Sequence, residues 1–497
     1  MIERYILTLD QGTTGSRAFL FDHKGEIVAS DYKEFKQYYP QPGWVEHDAE
    51  EIWASCVSVI RGALKKSNVE RKTILTIGIT NQRETTVVWD RLTSKPVARA
   101  IVWQCRRTSQ MCSAPALHRH EALFRSKTGL VLDPYFSGTK IKWLLDHVHG
   151  LHRRAQKGKI CFGTIDSWLI WKLTGGKAHV TDVTNASRTL IFNIRSFQWD
   201  KELLKILKIP PSILPQVQHS GSVFGHTSGG NVLPSGIPIT AVLGDQQAAL
   251  YGQGCYESGT VKNTYGTGCF MVLNTGKKLI HSNKGLLSTV ASDDQGKPVY
   301  AMEGSIFIAG AVIQWLRDEL GIIKQSSETE ERIKGLRDTG GVYLVPAFTG
   351  LGAPYWDSQA RGLITGITRG TNTKHLIRAA LESIAYQTKD VFDIMKKEVG
   401  RNIRELKVDG GACRNNFLMQ FQADILGCRI VRPQIVESTA FGVALLAGVM
   451  VGLWKGKKDL SKLQKSERIF YPRLSTKEQA ALYVGWLKAI DRTRSNN

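Results

Sequence analysis

Twice in this sequence an apolar run leads directly into an aspartate, which places a carboxylate where a strand would end. Ile6-Leu7-Thr8-Leu9 runs into Asp10, and residues 237–243 run through Gly244 into Asp245. After Asp10 comes a polar turn, Gln11-Gly12-Thr13-Thr14-Gly15-Ser16-Arg17, and then a second apolar run, Ala18-Phe19-Leu20-Phe21. A tight Gly-Thr turn exposes backbone N–H groups and hydroxyls that can hold phosphate oxygens. Asp10 could orient Mg²⁺ through water, because that ion dehydrates reluctantly. Arg17 could neutralise charge developing on a transferred phosphoryl group. The Gly-x-x-x-x-Gly-Lys-Ser/Thr phosphate loop is absent. An ordinary hairpin, in which Gly12 and Gly15 merely supply positive φ, accounts for the same turn, and the turn alone leaves both readings open. Asp245 supplies what phosphoryl transfer to an alcohol also needs, a base beside the hydroxyl. Its alternative role is a helix cap before Gln246-Gln247-Ala248-Ala249-Leu250, and a cap and a base are compatible.

Two further clusters suit recognition of a polyol. Asn81-Gln82-Arg83-Glu84-Thr85-Thr86 follows the apolar run 74–79, so its polar groups fall at a strand end, and Arg83 with Glu84 offers donors and acceptors to neighbouring hydroxyls. Val102-Trp103-Gln104-Cys105-Arg106-Arg107 adds an indole face able to cover a carbon skeleton, and Tyr135 adds a hydroxyl. Plain core packing would explain Trp103 equally well. Val408-Asp409-Gly410-Gly411-Ala412-Cys413-Arg414-Asn415-Asn416 reads as strand, Gly-Gly turn and helix start. Paired glycines would let a planar ring approach the backbone, although a simple strand–helix turn fits as well.

These residues need elements to hold them. The runs flanking residues 10–17 predict a hairpin, and Val261-Lys-Asn-Thr264 and Cys269-Phe270-Met271-Val272-Leu273, joined by Tyr265-Gly266-Thr267-Gly268, predict another. Residues 49–66 carry Ile52, Trp53, Cys56, Val59, Ile60 and Ala63 at helical spacing, and residues 375–399 and 415–426 also read as helices. A recurring Asp-terminated strand and a recurring Gly-Thr hairpin suggest duplicated halves. The expectation is an α/β fold of two domains, 1–252 and 253–497, with a cleft between them.

Bulk properties narrow the class. At 497 residues the chain exceeds one ordinary core. Apolar residues make up 42% and charged residues 22%, as in a folded globular protein. No apolar run of about 18 residues occurs, so no membrane insertion is expected. The first residues lack the pattern of a signal peptide and the last match no targeting tail, so a cytoplasmic location is expected. Eight scattered cysteines without a Cys-x-x-Cys pair read as reduced thiols. His147, His149 and His152 read as a solvated helix end rather than a zinc site. The net charge of +22 comes without any nucleic-acid motif, so no nucleic-acid partner is expected.

In family order, the chain carries the segments 10–17, 81–86, 103–108, 135–143, 244–247, 263–270, 348–357, 362–382 and 409–416. Together they resemble the FGGY carbohydrate kinases of the actin-like ATPase superfamily. The resemblance implies two actin-like, RNase H-like domains around an interdomain catalytic cleft, with ATP and Mg²⁺ bound there. It implies ATP-dependent phosphorylation of glycerol to sn-glycerol 3-phosphate, in glycerol catabolism and lipid precursor supply, with Asp245 as general base. Arg83, Glu84, Tyr135, Asp245 and Gln246 would then bind glycerol hydroxyls, and Trp103 and Phe270 would pack on its carbons. Thr13, Thr14, Gly15, Arg17 and Thr267 would lie at the phosphates, and Gly310, Gln314, Gly411 and Asn415 at the rest of the nucleotide. Asp10 and Asp245 would hold Mg²⁺ through water. A homodimer or homotetramer is the family's usual assembly. Many members carry Ser where this chain has Gly15, so a hydroxyl contact is lost there. A five-carbon or gluconate acceptor, or a non-catalytic ATP-binding role, are the competing readings. The acceptor cluster and the retained Asp10 and Asp245 favour glycerol phosphorylation.

Overall fold

The computed structural model describes residues 4–230, 232–357 and 359–495. Residues 1–3 and 496–497, on which the reading of the termini rests, lie outside these. Two compact units form: Met1–Tyr256 with Ser288–Tyr300 and Thr439–Leu463, and Glu257–Leu287 with Ala301–Ser438 and Gln464–Asn497. By internal contacts the chain returns to the first unit twice after Tyr256. The second return has a clear physical cause. The helix Ser438–Met450 is apolar on every side, and Ala440, Phe441 and Val443 to Ala447 are buried. A helix without a polar face must be enclosed. Gly442 lets it approach the Asp245–Gly252 helix so closely that a Cβ would lie 1.9 Å from the Ala248 carbonyl oxygen.

In the first unit a six-stranded sheet runs in the order Gly221–Ser228, Ser235–Gly244, Ile74–Asn81, Tyr5–Gln11, Gly15–Phe21, Ile27–Glu34. The expected first hairpin is present, with Asp10 opposite Arg17. The helix Ala49–Ser67 is capped by Asp48 and ended by Asn68 in the left-handed region, and it buries Ile52, Cys56, Val59, Ile60 and Ala63 as their spacing requires. Strands Tyr5–Gln11, Ile74–Asn81 and Ser235–Gly244 are mutually parallel, and Gln11, Asn81 and Gly244 stand in one row. Everything that follows those three residues is delivered to the same carboxyl edge, where α/β sheets bind ligands.

The second unit repeats this plan. Within it Cys269–Gly276, Val261–Tyr265, Glu405–Asp409, Arg429–Pro433 and Ser466–Phe470 are consecutive strands of one sheet. A hairpin lies beside two parallel strands and then an antiparallel edge strand, as in the first sheet. The duplication suggested by the sequence is thus a duplication of topology. Asp245, however, closes a strand of the first sheet, whose counterpart in the second is Arg429–Pro433. The long helix Thr373–Val399 crosses this unit with 14 buried residues. One of them, Asp390, accepts hydrogen bonds from the Tyr483 hydroxyl at 2.6 Å and the Trp486 indole at 3.0 Å.

Burial pushes the Asp390 carboxyl up to about 7. The folded protein therefore holds this proton where the unfolded chain, near pH 4, releases it. Stability from this group is present at low pH and lost as pH rises toward 7. Comparing Asp390→Asn with the wild type should show the variant gaining in relative thermal midpoint from pH 5 to pH 8. A pH-independent difference would show that Asp390 does not titrate in this way.

Candidate functional site

At the carboxyl edge of the first sheet, the Asn81–Gln82 backbone continues the hydrogen bonding of the phosphate-type hairpin. The Gln82 N–H donates to the Gln11 carbonyl at 2.7 Å. Its side-chain amide donates to the Gln11 side-chain oxygen at 3.0 Å and to the Gly12 carbonyl at 3.1 Å. The turn itself closes with the Gly12 N–H donating to the Gly15 carbonyl at 2.9 Å. Thr13 is not merely a turn residue, because its hydroxyl accepts from the Trp103 indole N–H at 2.9 Å. Trp103 is half-buried rather than core, and its ring meets Tyr135 edge-on at 5.6 Å between centroids. The hairpin and the suspected acceptor residues are therefore one connected arrangement. Thr14 is exposed beside them.

Charge is concentrated where the Ile74–Asn81 and Ser235–Gly244 strands end. The buried Arg83 places Nε 3.2 Å from the Asp245 carboxylate and 3.8 Å from that of Glu84, and its Nη1 donates to Gln247 at 3.2 Å. Arg188, fully buried, donates from Nε to Glu84 Oε1 at 2.6 Å, and its guanidinium lies 5.7 Å from the Tyr135 ring centroid. A line of alternating charge, Asp245–Arg83–Glu84–Arg188, results. Removing one member of such a line leaves an uncompensated buried charge and costs about 3–5 kcal/mol. Gly244 makes the line possible, since a Cβ there would lie 2.7 Å from Arg83 Cδ.

Asp245 is the first residue of its helix, with Gly244 at the cap position, so the cap reading is displaced by one residue. Its Oδ1 accepts from the Gln246 N–H at 2.7 Å, and its side chain remains one-third exposed. Gln246 is buried beside it. Below both strand ends lies a wholly buried polar network. Asp182 accepts from the Thr184 hydroxyl at 2.6 Å and from Ser220 at 2.7 Å, and burial pushes its carboxyl up. The Thr184 hydroxyl in turn accepts the Gly244 N–H at 2.9 Å, and Asn185 donates to Asn81 at 3.2 Å. This network fixes the residues just before Asp245 and Arg83.

The sequence reading named Arg83, Glu84, Trp103, Tyr135, Asp245 and Gln246, and the first unit supplies all six at this edge or beside it. Arg188 lies outside every segment singled out in the sequence, and Gln247 and Lys140 lie inside two of them without an assigned role. Arg188 sits in Ala186-Ser187-Arg188-Thr189, where an arginine amid small residues was the available signal.

In the second unit, Thr267 occupies the exposed turn of the Val261–Tyr265/Cys269–Gly276 hairpin. Its carbonyl accepts the N–H groups of Ala309 at 2.8 Å and Ala311 at 3.0 Å, and the Gly266 carbonyl accepts that of Gly310 at 2.9 Å. The turn is thereby docked on the start of the helix Gly310–Asp318. A Cβ on Gly310 would lie 2.6 Å from the Gly266 oxygen, so that glycine permits the docking. Phe270 is half-buried and Gln314 exposed. Gly410, at φ +85°, leaves room for the Tyr265 backbone, and Gly411 faces open space, as a close backbone approach requires. Asn415 caps the helix Asn416–Leu426 through the Leu418 N–H at 2.9 Å and donates to Thr329 at 3.0 Å. Its side chain thus has a structural task whatever else it does.

Among the described residues no cluster of three or more His, Cys, Asp or Glu could hold a metal ion by itself. Asp10, half-buried at a strand end, is suited to a hydrated cation carried by phosphates, since Mg²⁺ keeps several waters and needs one or two carboxylates. Gly15, where a hydroxyl was judged lost, has a local cause. A Cβ there would lie 2.5 Å from the Tyr32 ring, which also lies 5.1 Å from the Arg17 guanidinium.

Comparison with known proteins follows the same outline. The family model for the N-terminal domain of the FGGY carbohydrate kinases matches residues 5–252, and that for the C-terminal domain matches residues 261–451. A glycerol kinase of Carboxydothermus hydrogenoformans is 57% identical over 494 residues, 99% of each chain. One of Petrotoga mobilis is 55% identical over 494 residues, again 99% of each. The crystal structure of Plasmodium falciparum glycerol kinase with ADP superposes with a TM-score of 0.93 at 36% identity, over 99% of this chain and 98% of that one.

The Gly15–Tyr32 contact yields a thermodynamic test. Gly15→Ala should destabilise the protein by about 0.5–1 kcal/mol, the cost of displacing the exposed Tyr32 ring from its preferred rotamer. In a Tyr32→Ala background the same change should cost much less, measured by denaturant unfolding. Additive losses would mean that the Tyr32 ring is not what keeps position 15 a glycine.

Proposed function

The chain belongs to the FGGY family of carbohydrate kinases, and on that premise we propose that it transfers the γ-phosphoryl group of ATP to glycerol, giving ADP and sn-glycerol 3-phosphate. The observation that supports this most directly is the Asp245–Arg83–Glu84–Arg188 line beside Trp103 and Tyr135. Such an arrangement suits a small acceptor that has hydroxyls on one side and carbons on the other. The full-length relatives named as glycerol kinases favour the same acceptor.

Arg83, Glu84, Tyr135, Asp245 and Gln246 bind the hydroxyls, and Trp103 and Phe270 cover the carbons. Thr13, Thr14, Gly15 and Arg17 attend the phosphates with Thr267, while Gly310, Gln314, Gly411 and Asn415 attend the nucleotide. Asp10 and Asp245 are the carboxylates that would hold Mg²⁺, which would screen the negative charge of the phosphates. Asp245 removes the proton of the terminal hydroxyl, whose oxygen attacks the γ-phosphorus in line. Arg83 holds the Asp245 carboxylate in place at 3.2 Å. Arg17 stabilises the charge spread over the transferred group.

No helix among the described residues is long and apolar enough to cross a membrane. All eight cysteines are buried, in keeping with the reducing cytoplasm we assign to the enzyme. A homodimer or homotetramer completes this reading.

ADP release from Mg-ATP should be strong with glycerol and weak with xylulose, gluconate, erythritol or no acceptor. Asp245→Asn should lower kcat with glycerol by about 10²–10⁴-fold while the protein stays folded. Near-normal turnover in that variant would remove Asp245 as the base, and equal turnover with a five-carbon acceptor would overturn the substrate.

A further inference from the structure

A lysine is rarely buried without a carboxylate, yet Lys140 is fully buried. It lies in the first turn of the helix Ser137–His147, the end at which a helix dipole disfavours positive charge. Among the described residues its Nζ donates to two carbonyl oxygens, those of Tyr135 and, at 3.3 Å, Glu84. Ser137, three positions earlier on the same helix face, donates its hydroxyl to the same Glu84 carbonyl at 2.9 Å. The Thr86 hydroxyl lies within 3.3 Å of it as well.

Glu84 needs this attention. Its φ is +61°, a left-handed conformation that costs a non-glycine residue about 1–2 kcal/mol. Such residues persist where their surroundings over-determine them, and they concentrate at ligand sites. Here the conformation turns the side chain of Glu84 into the Arg83–Arg188 bracket while its carbonyl faces Ser137 and Lys140. Tyr135 is the other backbone that Lys140 holds. These two residues come from distant parts of the sequence, and both belong to the acceptor cluster.

We propose that Lys140, assisted by Ser137, is a positioning residue that ties the Glu84 and Tyr135 backbones together and so sets the affinity of the pocket for its polyol. This rests on the reading that Glu84 and Tyr135 hold glycerol. Burial pushes the Lys140 ammonium down to about 7, opposed by the Glu84 carboxylate, so the site bears a cost that packing alone would not require.

Steady-state kinetics with both substrates varied provide the test, using the full-length enzyme. Lys140→Met keeps the volume and removes both donors. It should raise KM for glycerol roughly tenfold or more, as expected for loss of charge-assisted hydrogen bonds. KM for ATP should stay within about twofold, and kcat should change less than KM for glycerol. Ser137→Ala removes one donor and should raise KM for glycerol by a smaller factor in the same direction. A folded Lys140→Met enzyme with unchanged KM for glycerol, or with equal rises for both substrates, would overturn the proposal. Where Lys140→Met does not fold, Ser137→Ala decides, and an unchanged glycerol KM there overturns it. Glu84→Gln, measured alongside, separates the two levels. If it leaves KM for glycerol unchanged, the pocket reading falls and the proposal with it; if it raises KM while Lys140→Met does not, only the positioning role falls.

Discussion

The carboxyl edge of the first sheet depends on a line of four charged groups in successive contact, three of them buried and Asp245 one-third exposed. Asp245, Arg83, Glu84 and Arg188 alternate in sign, and each inner member touches two neighbours of opposite charge. A buried guanidinium is tolerable only when its partners are in place, so the line demands precise backbone positions at three separate points of the chain. Gly244 clears the space for Arg83, Glu84 accepts a left-handed backbone, and Arg188 arrives from beyond the Asp182 network. Asp182 lies at 0% exposure beneath the strand ends and fixes Thr184, which fixes Gly244. The stability of the sheet and the geometry of the site are thus the same set of hydrogen bonds viewed from two sides.

The parallel strands explain why these groups meet at all. Because Gln11, Asn81 and Gly244 share one row, the Gly-Thr hairpin, the Gln82–Thr86 segment and Asp245 emerge together. Trp103 then joins hairpin to acceptor cluster, donating its N–H to Thr13 and presenting its ring to Tyr135. The second unit uses the same arrangement for a different purpose. Its hairpin turn is docked on the helix Gly310–Asp318, and its next strand opens into the unobstructed Gly411.

Local chemistry made much of this legible. Both hairpins, the helix Ala49–Ser67 and the strand–turn–helix around Gly410 follow from periodicity and turn residues within a few positions of one another. Asp10, Arg83, Glu84, Trp103 and Asp245 were visible because each adjoins an apolar run. Arg188 and Lys140 were not, because their roles lie in contacts with Glu84, 104 and 56 positions away. No local pattern encodes such a partner. The discontinuous units were hidden for a related reason: no local pattern in residues 439–463 says which core they join, and packing of Gly442 against Ala248 does. For Asn415 the resemblance implies a nucleotide contact, and the structure adds that its oxygen caps the helix Asn416–Leu426.

The most direct measurement is a double-mutant cycle between Arg188 and Glu84, read by calorimetric binding of glycerol rather than by turnover. If the line of charge acts as one unit, Arg188→Met should weaken binding strongly in the wild-type background and little once Glu84 is already Gln, leaving a coupling energy of about 1–3 kcal/mol. Additive losses, or glycerol binding indifferent to Arg188, would contradict the view that a buried chain of ion pairs orients the acceptor.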